Sequence, residues 1–321
     1  MERRSWVLLL VLGAIWGASY LFIKIGLRDL SPWMVAFVRI ALAALVLLPL
    51  AAFRGALAGV RSRAGWLALV GAVQVAGPFV LISAGEEEIS SSLAGILVAS
   101  APLFTALLAI RVDREERSQG LRLGGVLLGF GGVALLLGID LGGSGSALLG
   151  GLAVVLASLG YAIGGFLVKH RLAGVAPLGM SASVMTASAI FLLPPALLTA
   201  PDAAPGLGPA AAVVALGVLG TGIAFVIFYG LIASIGPARA FLVTYIAPGF
   251  AVVYGALLLS EQVTVATVAG LALILAGSWL AAEGRLPGRP RVEVEEGPRT
   301  IVKAPVTSEH PKSFPDATNW D

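Results

Sequence analysis

Ten apolar runs, each long enough to cross a bilayer as a helix, constrain this chain more than any other feature. They cover residues 6–27, 33–53, 65–85, 91–110, 120–138, 147–168, 178–200, 210–233, 237–259 and 265–283. A hydrocarbon layer of about 30 Å is crossed by roughly 17 to 25 helical residues. In lipid, every backbone N–H and C=O needs a partner within its own segment, so such runs are expected to be helices. With 58% hydrophobic and only 12% charged residues, and a mean hydropathy of +0.96, the chain has more apolar surface than a soluble core can hide. The 41 glycines fit this solvent, because small residues let membrane helices approach closely. Turn or charge signals mark most separators, at 29–32, 54–63, 86–88, 111–117, 140–146, 169–171 and 201–209. Thinner breaks at 234–237 and 260–264 complete the division into ten.

Charge excludes one class and orients another. A net charge of +3 and a pI near 9.4 would suit nucleic acid, but the basic residues lie in short loops between apolar runs, which points to a membrane surface and to no nucleic-acid partner. If the N-terminus is cytoplasmic, that side receives Arg3, Arg4, Arg54, Arg61, Arg63, Arg111, Arg114, Arg117, Arg122, Lys169, Arg171, Arg285, Arg289 and Arg291. The opposite side receives Arg28 alone among the loop cations, with Asp29, Glu86, Glu87, Glu88, Asp140, Asp202 and Glu261. Both termini are therefore expected in the cytoplasm. Arg3 and Arg4 before an apolar run resemble a secretory signal, but similar runs continue along the chain and the segment reads as a first span. The sequence has no cysteine, which removes disulfides, thiolate metal sites and cysteine catalysis.

A degenerate duplication organises the spans. Residues 91–116 return at 237–262, placing Pro102 on Pro248, Ala94 on Ala240, Glu115 on Glu261, Gly124 on Gly270 and Gly131 on Gly277. The same offset of 146 places Gly71 on Gly217, Phe79 on Phe225 and Ile89 on Ile235, and an offset of 145 places Lys24 on Lys169 and Pro32 on Pro177. Five spans per copy is an odd number, so the second copy enters the membrane from the other side. The expected fold is thus an all-α integral membrane protein of ten transmembrane helices in two inverted five-helix repeats. The repeats occupy 1–138 and 147–283, with a linker at 139–146 and a disordered cytoplasmic tail at 284–321, rich in proline and charge.

Further motifs sit within this frame: Trp16-Gly17 in span 1, Lys24 near its end, Phe37-Val38-Arg39 in span 2, and a mid-helix proline in spans 4 and 9 followed by Glu115 and Glu261. In order and spacing, about residues 6 to 283 resemble the EamA-type transporters of the drug/metabolite transporter superfamily. The family's usual Gly-Glu after spans 4 and 9 reads Arg114-Glu115 and Ser260-Glu261 here. The resemblance implies a multi-pass inner-membrane permease, often an exporter of amino acids, drugs or other small metabolites, working by alternating access.

Candidate site residues follow from the cost of polarity in hydrocarbon. Arg39 lies about six residues, or roughly 9 Å, into span 2, and its repeat partner is the apolar Val184. It could hold a carboxylate or phosphate by a bidentate contact, lock an outer gate against residues 86–88, or snorkel to the headgroups. Lys24 reads as an interfacial anchor. Trp16 and Gln74 fall mid-span and are candidates for a substrate cavity, together with Phe79, Tyr161, Tyr229 and Tyr245. Pro102 and Pro248 free backbone carbonyls and could act as helix breaks or gates, with Ser100 and Thr244 close by. No Asp or Glu falls in the middle of a span, so coupling through an intramembrane carboxylate is not expected.

The expected function is a secondary transporter of a small metabolite, foremost an amino acid or another carboxylate-bearing compound, exported through a central cavity between the repeats. Alternatives are a multidrug or amine exporter of the same fold, or a channel, although neither a charged ring nor a repeated filter is visible. An enzyme acting on lipid would need a nucleophile, an acid pair or a metal cluster at membrane depth, which the sequence does not offer. No metal or cofactor is expected. The expected partners are the small-molecule substrate and the lipid bilayer, for a chain acting as a monomer.

Overall fold

The computed structural model describes residues 2–112, 120–140 and 144–283. The tail at 284–321, Glu115 and part of the 139–146 linker lie outside the described residues. Among the described residues, nine helices are long and apolar enough to cross a membrane: α1 Arg3–Gly26, α2 Pro32–Phe53, α3 Arg61–Glu88, α4 Ser91–Ala109, α5 Leu121–Ile139, α6 Gly145–Arg171, α7 Pro177–Leu198, α8 Leu207–Ile235 and α10 Val265–Ala282. Between the last two lies a shorter apolar helix, α9 Val243–Leu258.

Local chemistry starts these helices where the sequence indicates. Ser31 accepts the Met34 N–H at 3.2 Å and Pro32 occupies the first turn of α2. Ser90 caps α4 through Leu93 N–H at 3.2 Å, and Ser144 caps α6 through Ala147 N–H at 3.4 Å. Both thin breaks are present, Gly236 having φ 82° and Ser260 φ 56°. Span 3 differs from the sequence reading. It runs on to Glu88, so Glu86 belongs to the helix and is fully buried, while Glu87 and Glu88 are exposed. Phe79, Ile82, Ser83 and Glu86 share the inward face at helical spacing.

The helices pack in a pattern that survives exchange of the two halves. Helix α2 packs on α7, α5 on α10 and α4 on α9; α1 packs on α9 and α8, as α6 packs on α4 and α3. One pair of glycines carries the same symmetry at atomic scale. A Cβ on Gly71 would lie 3.1 Å from the Val184 carbonyl oxygen, and one on Gly217 would lie 3.0 Å from the Arg39 carbonyl oxygen. Gly71 and Gly217 each begin or immediately precede a π-helical segment, Gly71–Ala76 in α3 and Val218–Ile223 in α8. Loops group at two ends. Arg63 donates to the Arg171 carbonyl at 2.6 Å at one; Asp29 accepts from Gly206 N–H at 2.8 Å, and Ser31 meets Thr199 at 2.8 Å, at the other. Large apolar side chains such as Leu45, Leu127, Leu149, Ile190 and Leu257 point outward and are mostly exposed, the surface a bilayer would cover.

Candidate functional site

Arg39 is the centre of a buried polar cluster between the halves. Its Nε donates to Thr221 Oγ1 at 2.9 Å in the π-helical segment of α8, and its guanidinium carbon stands 3.9 Å over the Phe79 ring of α3. Thr221 Oγ1 itself donates to the Leu216 carbonyl at 3.1 Å, five residues back. That widened turn suits a π segment, a distortion common at functional sites. The side chain is only 9% exposed. Among the described residues its terminal nitrogens have no hydrogen-bond or ion-pair partner, which leaves the bidentate edge of the guanidinium open.

Around it stand Tyr20 of α1, Glu86 of α3 and Tyr161 of α6, all within electrostatic range of the guanidinium. Glu86 is fully enclosed, and among the described residues neither of its carboxyl oxygens has a hydrogen-bond partner. No ion pair joins it to Arg39, so the outer gate weighed above is not formed in this conformation.

Two further charges approach Glu86 and are engaged elsewhere. Lys24 Nζ donates to the backbone carbonyls of Glu86 and, at 2.9 Å, of Ile89, so it caps the C-terminal end of α3. It therefore turns inward onto a helix end, where an interfacial anchor would point to the headgroups. Glu261 follows α9 and accepts from Ser91 N–H at 2.7 Å, Ser92 N–H at 3.0 Å and Ser92 Oγ at 2.5 Å. The motif glutamate of one half thus caps the first turn of α4 in the other.

The remaining candidates fall in separate places. Trp16 packs against Phe225 at 6.3 Å and Phe228 at 5.3 Å between ring centroids, in an apolar cluster of α1, α8 and α9. Tyr229 joins that cluster through both phenylalanines, and its hydroxyl bonds to Ser181 of α7. Gln74 lies in the π segment of α3, where its side chain packs against Gly164 of α6. Thr244 bonds the Phe241 carbonyl at 2.8 Å in the turn that opens α9, with Tyr245 beside it, half-buried.

The two prolines are not equivalent. At Pro102 the helix is interrupted between Val98 and Ala101. The freed carbonyls are taken up by hydroxyls: Ser100 bonds Leu97 at 2.7 Å, Ser158 of α6 bonds Leu97 at 3.2 Å and Val98 at 3.4 Å, and Ser278 of α10 bonds Ala99 at 3.2 Å. Pro248 stays inside a continuous helix, and the interruption in span 9 comes earlier, between Ala240 and Val243. Away from the cluster, a lateral groove of about 430 Å³ is lined by Leu48, Leu57, Leu67 and Ile190 among others, and it is apolar.

The sequence reading set Glu86 in a loop, as one of three gate partners for Arg39, and did not single out Tyr20 or Thr221 as site residues. Glu86 was legible in principle, since it falls seven residues, two helical turns, after Phe79 and so shares its face. The π segments have no sequence signal beyond the coincidence of Gly71 and Gly217.

Comparison with known proteins agrees with this architecture. The EamA-like transporter family matches twice, at residues 4–138 and 148–282. A protein of Streptantibioticus cattleyicolor named "Probable terminal-alkyne amino-acid exporter" is 29% identical over 93% of this chain and 99% of its own. The "Uncharacterized inner membrane transporter YedA" of Escherichia coli K12 is 29% identical over 88% of this chain and 93% of its own. An "Uncharacterized transporter" of Archaeoglobus fulgidus is 26% identical over 88% and 100%. One crystal structure aligns over 89% of this chain and all of its own with a TM-score of 0.62 at 20% identity, which shows a shared fold. Two matches that between them span nearly all the described helices, on a bundle with an apolar outer surface, make the chain a multi-pass membrane transporter of the EamA family.

Proposed function

We propose that the chain exports a small carboxylate-bearing metabolite, an amino acid foremost, across the inner membrane by alternating access between residues 1–138 and 147–283. The observation that carries this reading is Arg39. It is a buried guanidinium fixed by Thr221 and Phe79, with its bidentate edge unengaged among the described residues. A cation is costly at this depth unless something compensates it, and a substrate carboxylate compensates it once per transport cycle. The guanidinium fork matches a carboxylate in geometry as well as charge. The relative named "Probable terminal-alkyne amino-acid exporter" supports the substrate class. In this reading the two halves are inverted repeats of five crossings each, and both termini, with the arginine-rich end that holds Arg54, Arg63 and Arg171, face the cytoplasm.

The test is uptake of radiolabelled amino acids, organic acids and amines into proteoliposomes, with and without a pH gradient, comparing the wild type with Arg39→Ala. Carboxylates that move in the wild type and stop in a well-folded variant support the reading. Unchanged affinity and rate in the variant would make Arg39 a structural residue.

An amine exporter is the second reading, favoured by the carboxylate of Glu86, which is buried without a partner on the same face of α3 as Phe79.

A further inference from the structure

Four charged side chains gather at one end of the bundle, and they divide into two kinds. Lys24 is occupied by two backbone carbonyls at the end of α3. Glu261 is occupied by two backbone amides and a hydroxyl at the start of α4. The other two, the guanidinium of Arg39 and the carboxyl group of Glu86, lie within electrostatic range of each other, yet no hydrogen bond or ion pair joins them. Arg39 is held back by its bond to Thr221 and its place over the Phe79 ring. Glu86 projects from the face of α3 that carries Phe79, two turns or roughly 10 Å further along the helix. Each side chain is more than nine-tenths buried. Buried polar groups call for partners; the terminal nitrogens of Arg39 and the carboxyl oxygens of Glu86 have none among the described residues, and a guanidinium and a carboxyl group kept apart suit a ligand that brings an anionic group to one and a cationic group to the other.

We infer that this site takes a zwitterion: Arg39 receives the carboxylate of a free amino acid and Glu86 receives its ammonium group. The inference rests on the reading that Arg39 holds a carboxylate, and it adds the requirement for an unblocked amine. Tyr20 and Tyr161, whose side chains stand within electrostatic range of Arg39, provide hydroxyls and ring faces for the remainder of the ligand.

The experiment uses the full-length protein in proteoliposomes and a panel of the standard amino acids, each offered beside its N-acetyl derivative and its decarboxylated amine. In the wild type, the free amino acid that moves best should outpace both counterparts, since each lacks one of the two charges. Glu86→Gln should slow that amino acid about 10- to 100-fold, the usual worth of a buried hydrogen bond to a charged group. Its advantage over the N-acetyl form should shrink accordingly. Glu86→Asp, which keeps the charge on a shorter stem, should retain part of the activity, and Glu87→Gln, an exposed neighbour, should match the wild type.

The wild-type comparison needs no variant to fold. If the N-acetyl form moves as well as its parent, Glu86 does not receive the ammonium, and the carboxylate reading survives alone. If the amine moves as well as its parent, the role of Arg39 fails and the zwitterion site with it. If no amino acid of the panel is transported, both are overturned.

Discussion

At the scale of single residues, the proposed site depends on how Arg39 is held. Thr221 is the one hydrogen-bond acceptor that Arg39 has among the described residues, and the bond crosses from one half of the chain to the other. Thr221→Val keeps the shape and removes the acceptor, leaving a buried charged donor unsatisfied. A loss of about 1–3 kcal/mol in stability is expected, read by thermal unfolding in detergent, with a larger loss in uptake because the guanidinium is no longer aimed. Arg39→Lys keeps the charge but gives up the fork, the stacking and the Nε anchor. Its stability should stay nearer the wild type, while its transport falls toward that of Arg39→Ala in the same uptake assay. Arg39 was legible in the sequence because a lone cation in an apolar run is conspicuous. Glu86 was not, because three adjacent glutamates read as a loop and only the register of the helix separates the buried one from its exposed neighbours.

At the scale of elements, the end of α9 shows what the departure from the family's Gly-Glu means physically. Ser260 adopts φ 56°, the left-handed conformation that glycine takes without strain. The turn folds Glu261 N–H back onto the Gly255 carbonyl at 3.0 Å and aims the carboxylate at the first amides of α4. Ser260→Gly should therefore stabilise the protein by about 1 kcal/mol, by relieving the strain a Cβ meets in that conformation. Glu261→Gln should destabilise it by about 1–2 kcal/mol, because one amide oxygen cannot serve two helix-end amides as a charged carboxylate does. Thermal unfolding of the two variants, one up and one down, checks both. The prolines were legible as break points, but their consequences were not. Serines on two other helices cap the carbonyls freed near Pro102, whereas the interruption in span 9 precedes Pro248. Packing partners on distant helices decide this, and spacing along one helix does not record them.

At the scale of the whole molecule, hydropathy was enough to read an all-helical membrane bundle and the internal repeat to read a duplicated unit, and the EamA-like family matches twice, at 4–138 and 148–282. Which faces meet was beyond them. The pairing of α2 with α7 and α5 with α10 places the equivalent helices of the two halves side by side, and α2 brings Arg39 to the π segment of α8. In the proposed cycle, a site built across such a boundary opens to either side in turn as the halves rock against each other.

In the proposed cycle, one site between the halves is reached alternately from the two faces of the membrane. Ser83 tests it most directly, since it is buried on the face of α3 between Phe79 and Glu86, and the sequence has no cysteine, so Ser83→Cys would introduce a single thiol. In a transport-active Ser83→Cys variant, a membrane-impermeant thiol reagent should react from either face, and a transported amino acid should slow both reactions. Reaction from one face only, or none, while transport persists would place the pathway elsewhere and contradict the account.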